Sequence, residues 1–265
     1  MQLRAAVDAL TRRITGYAPL RAAVFRALLR ADKIVPFGRA LAFDPHTWVI
    51  KETEYGFRIW VALGERSISR EIMLDRYERD EVEFIRANVK PGDRVVDVGA
   101  NIGFYTALFG TLVGPGGRVI ACEPLDANSG SVLLRHAPVT INQGAAYLAP
   151  ACALPPGHVD ALVPARTLDE IVGSGPCAFI KLDAEGAEPR ILAGAAETLA
   201  RCRPIVLAEL NPILLARVGG KNAGDVIAQM ALQRYVARRL RGAPAEIVAG
   251  YDDAASINVV FFPDP

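Results

Sequence analysis

The chain has 265 residues and a formal net charge of +1, with 51% hydrophobic and 22% charged residues. That balance suits a globular α/β domain with a real core and a modest extension, and nothing in the charge steers it toward nucleic acid. Four cysteines without a C-x-x-C pair and three isolated histidines give no Cys- or His-based metal spacing and no disulfide framework, so a reduced, cytoplasmic protein is expected.

At the start, Leu3, Val7, Leu10, Ile14 and Tyr17 recur at steps of four and three, one apolar helix face with Arg4, Arg12 and Arg13 off it. Pro19 interrupts the pattern, and Leu20, Val24 and Leu28 follow with Arg21, Arg26 and Arg30. Residues 1–40 are therefore expected to form an amphipathic helical extension. Such a segment either caps the main domain or associates weakly with an anionic membrane surface through residues 1–30. The arginines also break any signal-peptide core, and no stretch reaches the roughly 20 apolar residues of a transmembrane helix.

Residues 41–75 read as a β-hairpin lead-in, with strands at 47–51 and 57–63 and Gly56 in the loop. The helix beginning at Tyr77 runs to about Val89, its early acids favoured by the helix dipole. From there to residue 265, strand and helix alternate, which predicts a mainly parallel sheet. Strands are expected at 94–98, 118–122, 139–142, 178–182 and 205–210, with closing strands at 246–249 and 256–262 forming a hairpin-like edge pair. Helices are expected at 102–113, about 127–135, 167–172, 186–201 and 223–239, and residues 147–165 read as irregular.

The most informative segment is Val95-Val96-Asp97-Val98-Gly99-Ala100-Asn101-Ile102-Gly103, a buried strand entering a glycine turn before a helix. In an open α/β sheet the ligand crevice lies beyond the carboxyl ends of the strands, so Asp97, Gly99, Asn101 and Gly103 should line it. Glu123, twenty residues after Gly103, ends the second strand and can accept both hydroxyls of an adenosine ribose. A pyrophosphate binder favours G-x-G-x-x-G with no acid beside the phosphates. Here Asn101 takes the middle position and Asp97 sits beside the turn, which favours the cationic methionine end of S-adenosylmethionine over a nicotinamide dinucleotide.

Asp183, Glu185 and Glu188 follow the strand Phe179-Ile180-Lys181-Leu182. Asp183 and Glu185 are the candidate catalytic acids, able to face a sulfonium or accept a hydroxyl proton, while Glu188 suits a helix N-terminus. Asp183, Glu209 and Asn211 are oxygen donors that would suit Mg²⁺.

Taken together, Tyr77-Glu78, Pro91-Gly92-Asp93, Val96 through Tyr105, Glu123-Pro124 with Asn128, Thr167-Leu168-Asp169 and Ile180 through Glu188 resemble the FkbM-type methyltransferase family. The resemblance covers about residues 70–211. It implies a class I methyltransferase fold, a Rossmann-like doubly wound seven-stranded sheet with helices on both faces. It also implies S-adenosylmethionine as cofactor and O-methylation of a sugar, glycan or natural-product hydroxyl. The match departs between Ala145 and Thr167, a short Pro-rich stretch where the family carries more strand material. Two other readings remain at this stage, a non-catalytic domain of the same fold and a nicotinamide-dependent oxidoreductase.

Overall fold

The computed structural model describes residues 48–62, 67–122, 130–136, 146–148, 159–240, 246–247 and 256–265. The chain divides into two compact units, residues 1–79 and 80–265. The expected N-terminal extension lies outside the described residues.

In the first unit, β1 (Trp48–Glu52) pairs antiparallel with β2 (Arg58–Ala62), in register from Trp48 opposite Ala62 to Glu52 opposite Arg58. Gly56, at φ +89°, turns the loop, and the Thr53 hydroxyl donates to the Phe57 carbonyl at 2.9 Å. A short helix, α1 (Ile68–Met73), follows, and Ser69 Oγ accepts the Ala62 amide at 3.2 Å. Lys51 is buried against Asp75 in a 2.6 Å ion pair.

The second unit opens with α2 (Arg79–Asn88), β3 (Arg94–Val98), α3 (Phe104–Val113) and β4 (Arg118–Cys122). Next come β5 (Gly130–His136), β6 (Ala146–Leu148), β7 (Val159–Ala165), α4 (Leu168–Val172) and β8 (Phe179–Leu182). Helices α5 (Glu188–Ala193) and α6 (Ala196–Cys202) lead to β9 (Ile205–Leu210). The unit ends with α7 (Pro212–Gly219), α8 (Ala223–Leu232), β10 (Tyr235–Arg239), β11 (Glu246–Ile247) and β12 (Ile257–Pro263).

The main sheet runs β11-β10-β12-β9-β8-β3-β4. Six strands carry it, because β11 is a two-residue edge pairing. Strands β4, β3, β8 and β9 are parallel, and β12, β10 and β11 join them through antiparallel pairings. After β3 the chain goes to β4 on one side and later to β8 on the other. The carboxyl end of β3 is therefore the topological switch point, where a doubly wound sheet opens its crevice.

One face of the sheet presents Val96, Val98, Ile180, Leu182, Val206 and Phe261, packed with Leu168, Ile191, Leu199, Val226 and Met230 from α4, α5, α6 and α8. On the other face, Phe179 meets Phe84 of α2 and Phe109 of α3, with ring centroids 6.2 and 5.8 Å apart. Helices thus cover both faces, as a parallel sheet requires.

Several local expectations are corrected. Residues 130–136 form a strand instead of a helix, held by seven register pairs with β7, and β6, β5 and β7 make a separate antiparallel sheet. Pairing outweighs helix propensity there, and residues 146–148 and 159–165 are strands within a stretch that reads as irregular. The expected strand at 139–142 lies outside the described residues. The long helix at 223–239 stops at Leu232, because Arg234 turns the chain at φ +60° and Tyr235–Arg239 enters the sheet. The helix at 186–201 breaks at Gly194, and Asp169 restarts it by accepting the Glu197 and Thr198 amides at 3.0 and 2.7 Å. The closing strands do not form a pair, since β10 lies between β11 and β12 and β12 lies inside the sheet.

Candidate active site

The apolar strand β3 carries Asp97 next to its carboxyl end, with the side chain fully buried. The Thr106 hydroxyl of α3 donates to Asp97 Oδ2 at 2.5 Å, while Oδ1 has no hydrogen-bond partner. Burial pushes the Asp97 carboxyl above its ordinary value; Thr106 and the nearby Lys181 ammonium oppose the shift, and Asp183 adds to it.

The glycine turn follows. Gly99 has φ +80°, and a Cβ placed there would lie 1.7 Å from the Asp183 carbonyl oxygen. Only glycine lets the two turns meet at the switch point. The Gly99 amide donates to the Cys122 carbonyl at 2.9 Å, tying the turn to the end of β4. Asn101 adopts φ +48°, and Gly103, at φ +82°, starts α3 with open space where its Cβ would be.

Strand β8 brings the acids to the same end of the sheet. The Asp183 amide donates to the Val98 carbonyl at 3.0 Å, continuing the parallel pairing past the strand. Lys181 lies directly opposite Asp97 across that pairing, is 4% exposed, and forms a 3.2 Å ion pair with Asp183 Oδ2. Its ammonium also sits 4.5 Å from the Tyr105 ring centroid. Two carboxylates and one ammonium therefore lie together at the carboxyl end of the sheet.

The turn after Asp183 is held from below. Glu185 has φ +53° and Gly186 φ +96°, and a Cβ on Gly186 would lie 2.3 Å from the Leu214 carbonyl. Glu188 Oε1 accepts the Ala184 amide at 2.8 Å and the Gly186 amide at 3.2 Å, while its Oε2 is buried without a partner. Burial raises the Glu188 carboxyl to about 7, against the three backbone amides that lower it. Glu188 thus organises the acidic turn as well as standing at the start of α5.

Each candidate Mg²⁺ donor has another partner in the fold. Asn211 caps α7 by accepting the Ile213 and Leu214 amides, Glu209 accepts the Ser256 hydroxyl at 2.8 Å, and Asp183 faces Lys181. Among the described residues no three His, Cys, Asp or Glu side chains converge on a metal position. Glu123 lies outside the described residues, as do Pro124 and Asn128.

Asp97, Gly99 and Asp183 are brought together as the sequence suggests, with Asn101, Gly103 and Glu185 in the same turns. The sequence reading gave no role to Lys181, Thr106 or Tyr105. The one sequence signal for Lys181 is a lone cation inside an otherwise apolar strand, two residues before Asp183.

This sheet, with its glycine turn at the switch point, defines a doubly wound, Rossmann-like α/β fold. The resemblance to FkbM-type methyltransferases is borne out, since residues 156–236 match the family model described as the methyltransferase FkbM domain. Protein-L-isoaspartate O-methyltransferase 1 of Arabidopsis thaliana is 28% identical over 110 residues, covering 36% of this chain. The chain spans about half the length of that relative, 48%. Among solved structures, a putative rRNA-methylase from Clostridium thermocellum aligns at 13% identity and TM-score 0.41, covering 71% of this chain and 95% of its own. The methyltransferase FkbM from Methylobacillus flagellatus KT aligns at 14% identity and TM-score 0.37, covering 73% and 54%.

The family implies S-adenosylmethionine, and the residues present fit its methionine end. A turn stripped of side chains allows close approach, and the orphaned, buried Asp97 Oδ1 can take a donated hydrogen bond from an ammonium.

Proposed function

We propose that the protein is an S-adenosylmethionine-dependent O-methyltransferase acting on a hydroxyl of a sugar, glycan or natural product. The observation that carries this reading is Asp97, a buried carboxylate with one unpartnered oxygen beside a glycine turn at the switch point. When bound, the cofactor supplies an electrophilic methyl group on a sulfonium. The chain's residues position and orient. Asp97 holds the amino-acid end, Gly99, Asn101 and Gly103 admit the cofactor backbone, and Glu123 accepts the ribose hydroxyls.

Asp183 is the residue assigned to the acceptor. Lys181 holds Oδ2, which leaves Oδ1 to orient the acceptor hydroxyl and take its proton. Glu185, in the same turn, is the second candidate for that task. The ion pair with Lys181 fixes the Asp183 carboxylate in place, so that a hydroxyl can align on it for in-line attack.

The direct test is thermal stability of the purified protein with excess S-adenosylhomocysteine or excess NAD. At a hundred times the dissociation constant, the right ligand adds about 2.7 kcal/mol. Stabilisation by S-adenosylhomocysteine alone, lost in Glu123→Ala and Asp97→Ala, supports the reading. Stabilisation by NAD alone overturns it in favour of an oxidoreductase. Tight cofactor binding with no methyl transfer across a hydroxyl-acceptor panel leaves a non-catalytic binding domain.

A further inference from the structure

The β1–β2 hairpin alternates as a half-buried ribbon should, but its outward side has an unusual composition. Lys51, Ile59 and Val61 point inward and are buried. Trp48, Ile50 and Trp60 point outward and are 46%, 47% and 58% exposed. Ile50 lies directly opposite Trp60, and Trp48 is two residues along the same face of β1. The three side chains therefore form one apolar patch, with the exposed pair Glu52 and Arg58 opposite each other at its end. Water-exposed hairpin faces are ordinarily polar, whereas tryptophan concentrates where an apolar layer meets water.

A second observation concerns charge. Residues 1–47, which lead into this hairpin, hold eight Arg or Lys and three Asp, a net of +5 in a chain whose total is +1. The remaining residues therefore carry a net −4. Apolar residues recur there at steps of three and four with arginines among them, a sequence pattern that suits a surface segment better than a membrane span. Among the described residues, no helix is long and apolar enough to cross a membrane.

We propose that the first unit docks on an anionic lipid surface. Trp48, Ile50 and Trp60 enter the boundary between headgroups and acyl chains, and the net +5 of residues 1–47 draws the unit to anionic lipid. The apolar patch supplies depth and the positive charge supplies preference for anionic lipid. The proposal does not depend on the methyl-transfer reading. It concerns a different unit, and its test reads no cofactor.

The chain contains only two tryptophans, and both lie on this patch. Intrinsic fluorescence of the full chain therefore reports on the patch without labelling. Titration with vesicles of mixed phosphatidylglycerol and phosphatidylcholine should move the emission to shorter wavelength, with quenching by lipids brominated along the acyl chain. Partitioning should be roughly tenfold stronger than to pure phosphatidylcholine and should weaken in high salt. Arg12→Gln with Arg13→Gln keeps both tryptophans and should reduce partitioning to anionic vesicles. Trp48→Ser with Trp60→Ser, read by co-sedimentation, should do the same, with an unchanged melting curve showing that the fold is intact.

Emission that ignores both vesicle types overturns the proposal. A response to soluble oligosaccharides but not to vesicles would make the patch a glycan platform and also overturn it. Emission already at short wavelength that shifts on dilution would assign the patch to a second copy of the chain.

Discussion

Asp97 and Lys181 face each other across adjacent parallel strands, and the lysine reaches on to Asp183. One ammonium thus serves two acids on a face where it is almost wholly buried. Removing it leaves both carboxylates uncompensated. Lys181→Met should destabilise the fold by about 3 kcal/mol at pH 8, since breaking a buried charge cluster from one side is costly. The loss should shrink at pH 5, because burial already raises the Asp97 carboxyl and it takes up a proton more readily once the cation is gone. Denaturant unfolding at both pH values checks this, and an equal loss at both contradicts the shared-charge account.

Asp97 also predicts a binding effect. Asp97→Asn keeps an acceptor for Thr106 but removes the charge aimed at the cofactor's amino group. The dissociation constant of S-adenosylhomocysteine should rise by roughly 10- to 100-fold, the usual value of a hydrogen bond to a charged group. Calorimetric titration reads it directly. Thr106→Val should have a smaller effect, because it leaves the charge in place.

Gly99 and Gly103 have nearly the same backbone angle but different surroundings. Alanine at position 103 meets open space and suffers only the backbone cost of about 1–2 kcal/mol. Alanine at position 99 must also displace the Asp183 carbonyl, so Gly99→Ala should cost clearly more and weaken cofactor binding with it. Melting temperatures of the two variants, with and without S-adenosylhomocysteine, test the difference. Equal behaviour would show that the turns are not in contact.

Glu188 carries a pH signature. Its carboxyl is raised to about 7 in the fold, so the folded state holds a proton that the unfolded chain gives up near 4.5. The proton-linked stabilisation is fully present below pH 4.5 and is lost as pH rises to about 7. Glu188→Gln removes this titration while keeping an oxygen for the Ala184 and Gly186 amides. Relative to Glu188→Gln, the native chain should therefore lose stability between pH 4.5 and 7. Parallel curves for the two proteins across that range would assign the pH dependence to another group.

Much of the second unit was legible in the sequence because its parallel strands are short apolar runs ending in turn residues. Strands 94–98, 118–122 and 205–210 fall at the expected positions for that reason. The errors cluster where pairing or a single backbone angle decides. Residues 130–136 become a strand through long-range partners, and Arg234 ends a helix whose apolar spacing continues past it. The glycine turn and its acids were readable from residue type and spacing. The Lys181 bridge was not, because it depends on the register that sets Asp97 beside it.

The strand order has a consequence for synthesis. Strands β9 and β10 both precede β12 in the chain, yet β12 lies between them. As the chain emerges from the ribosome, β9 has an open edge and β10 has no route to it until residues 257–263 appear. Both edges are apolar on at least one face, and unpaired edges recruit other strands. This half of the sheet therefore closes late and all at once, and a nascent chain held before β12 exposes the surface most prone to pairing with a neighbour.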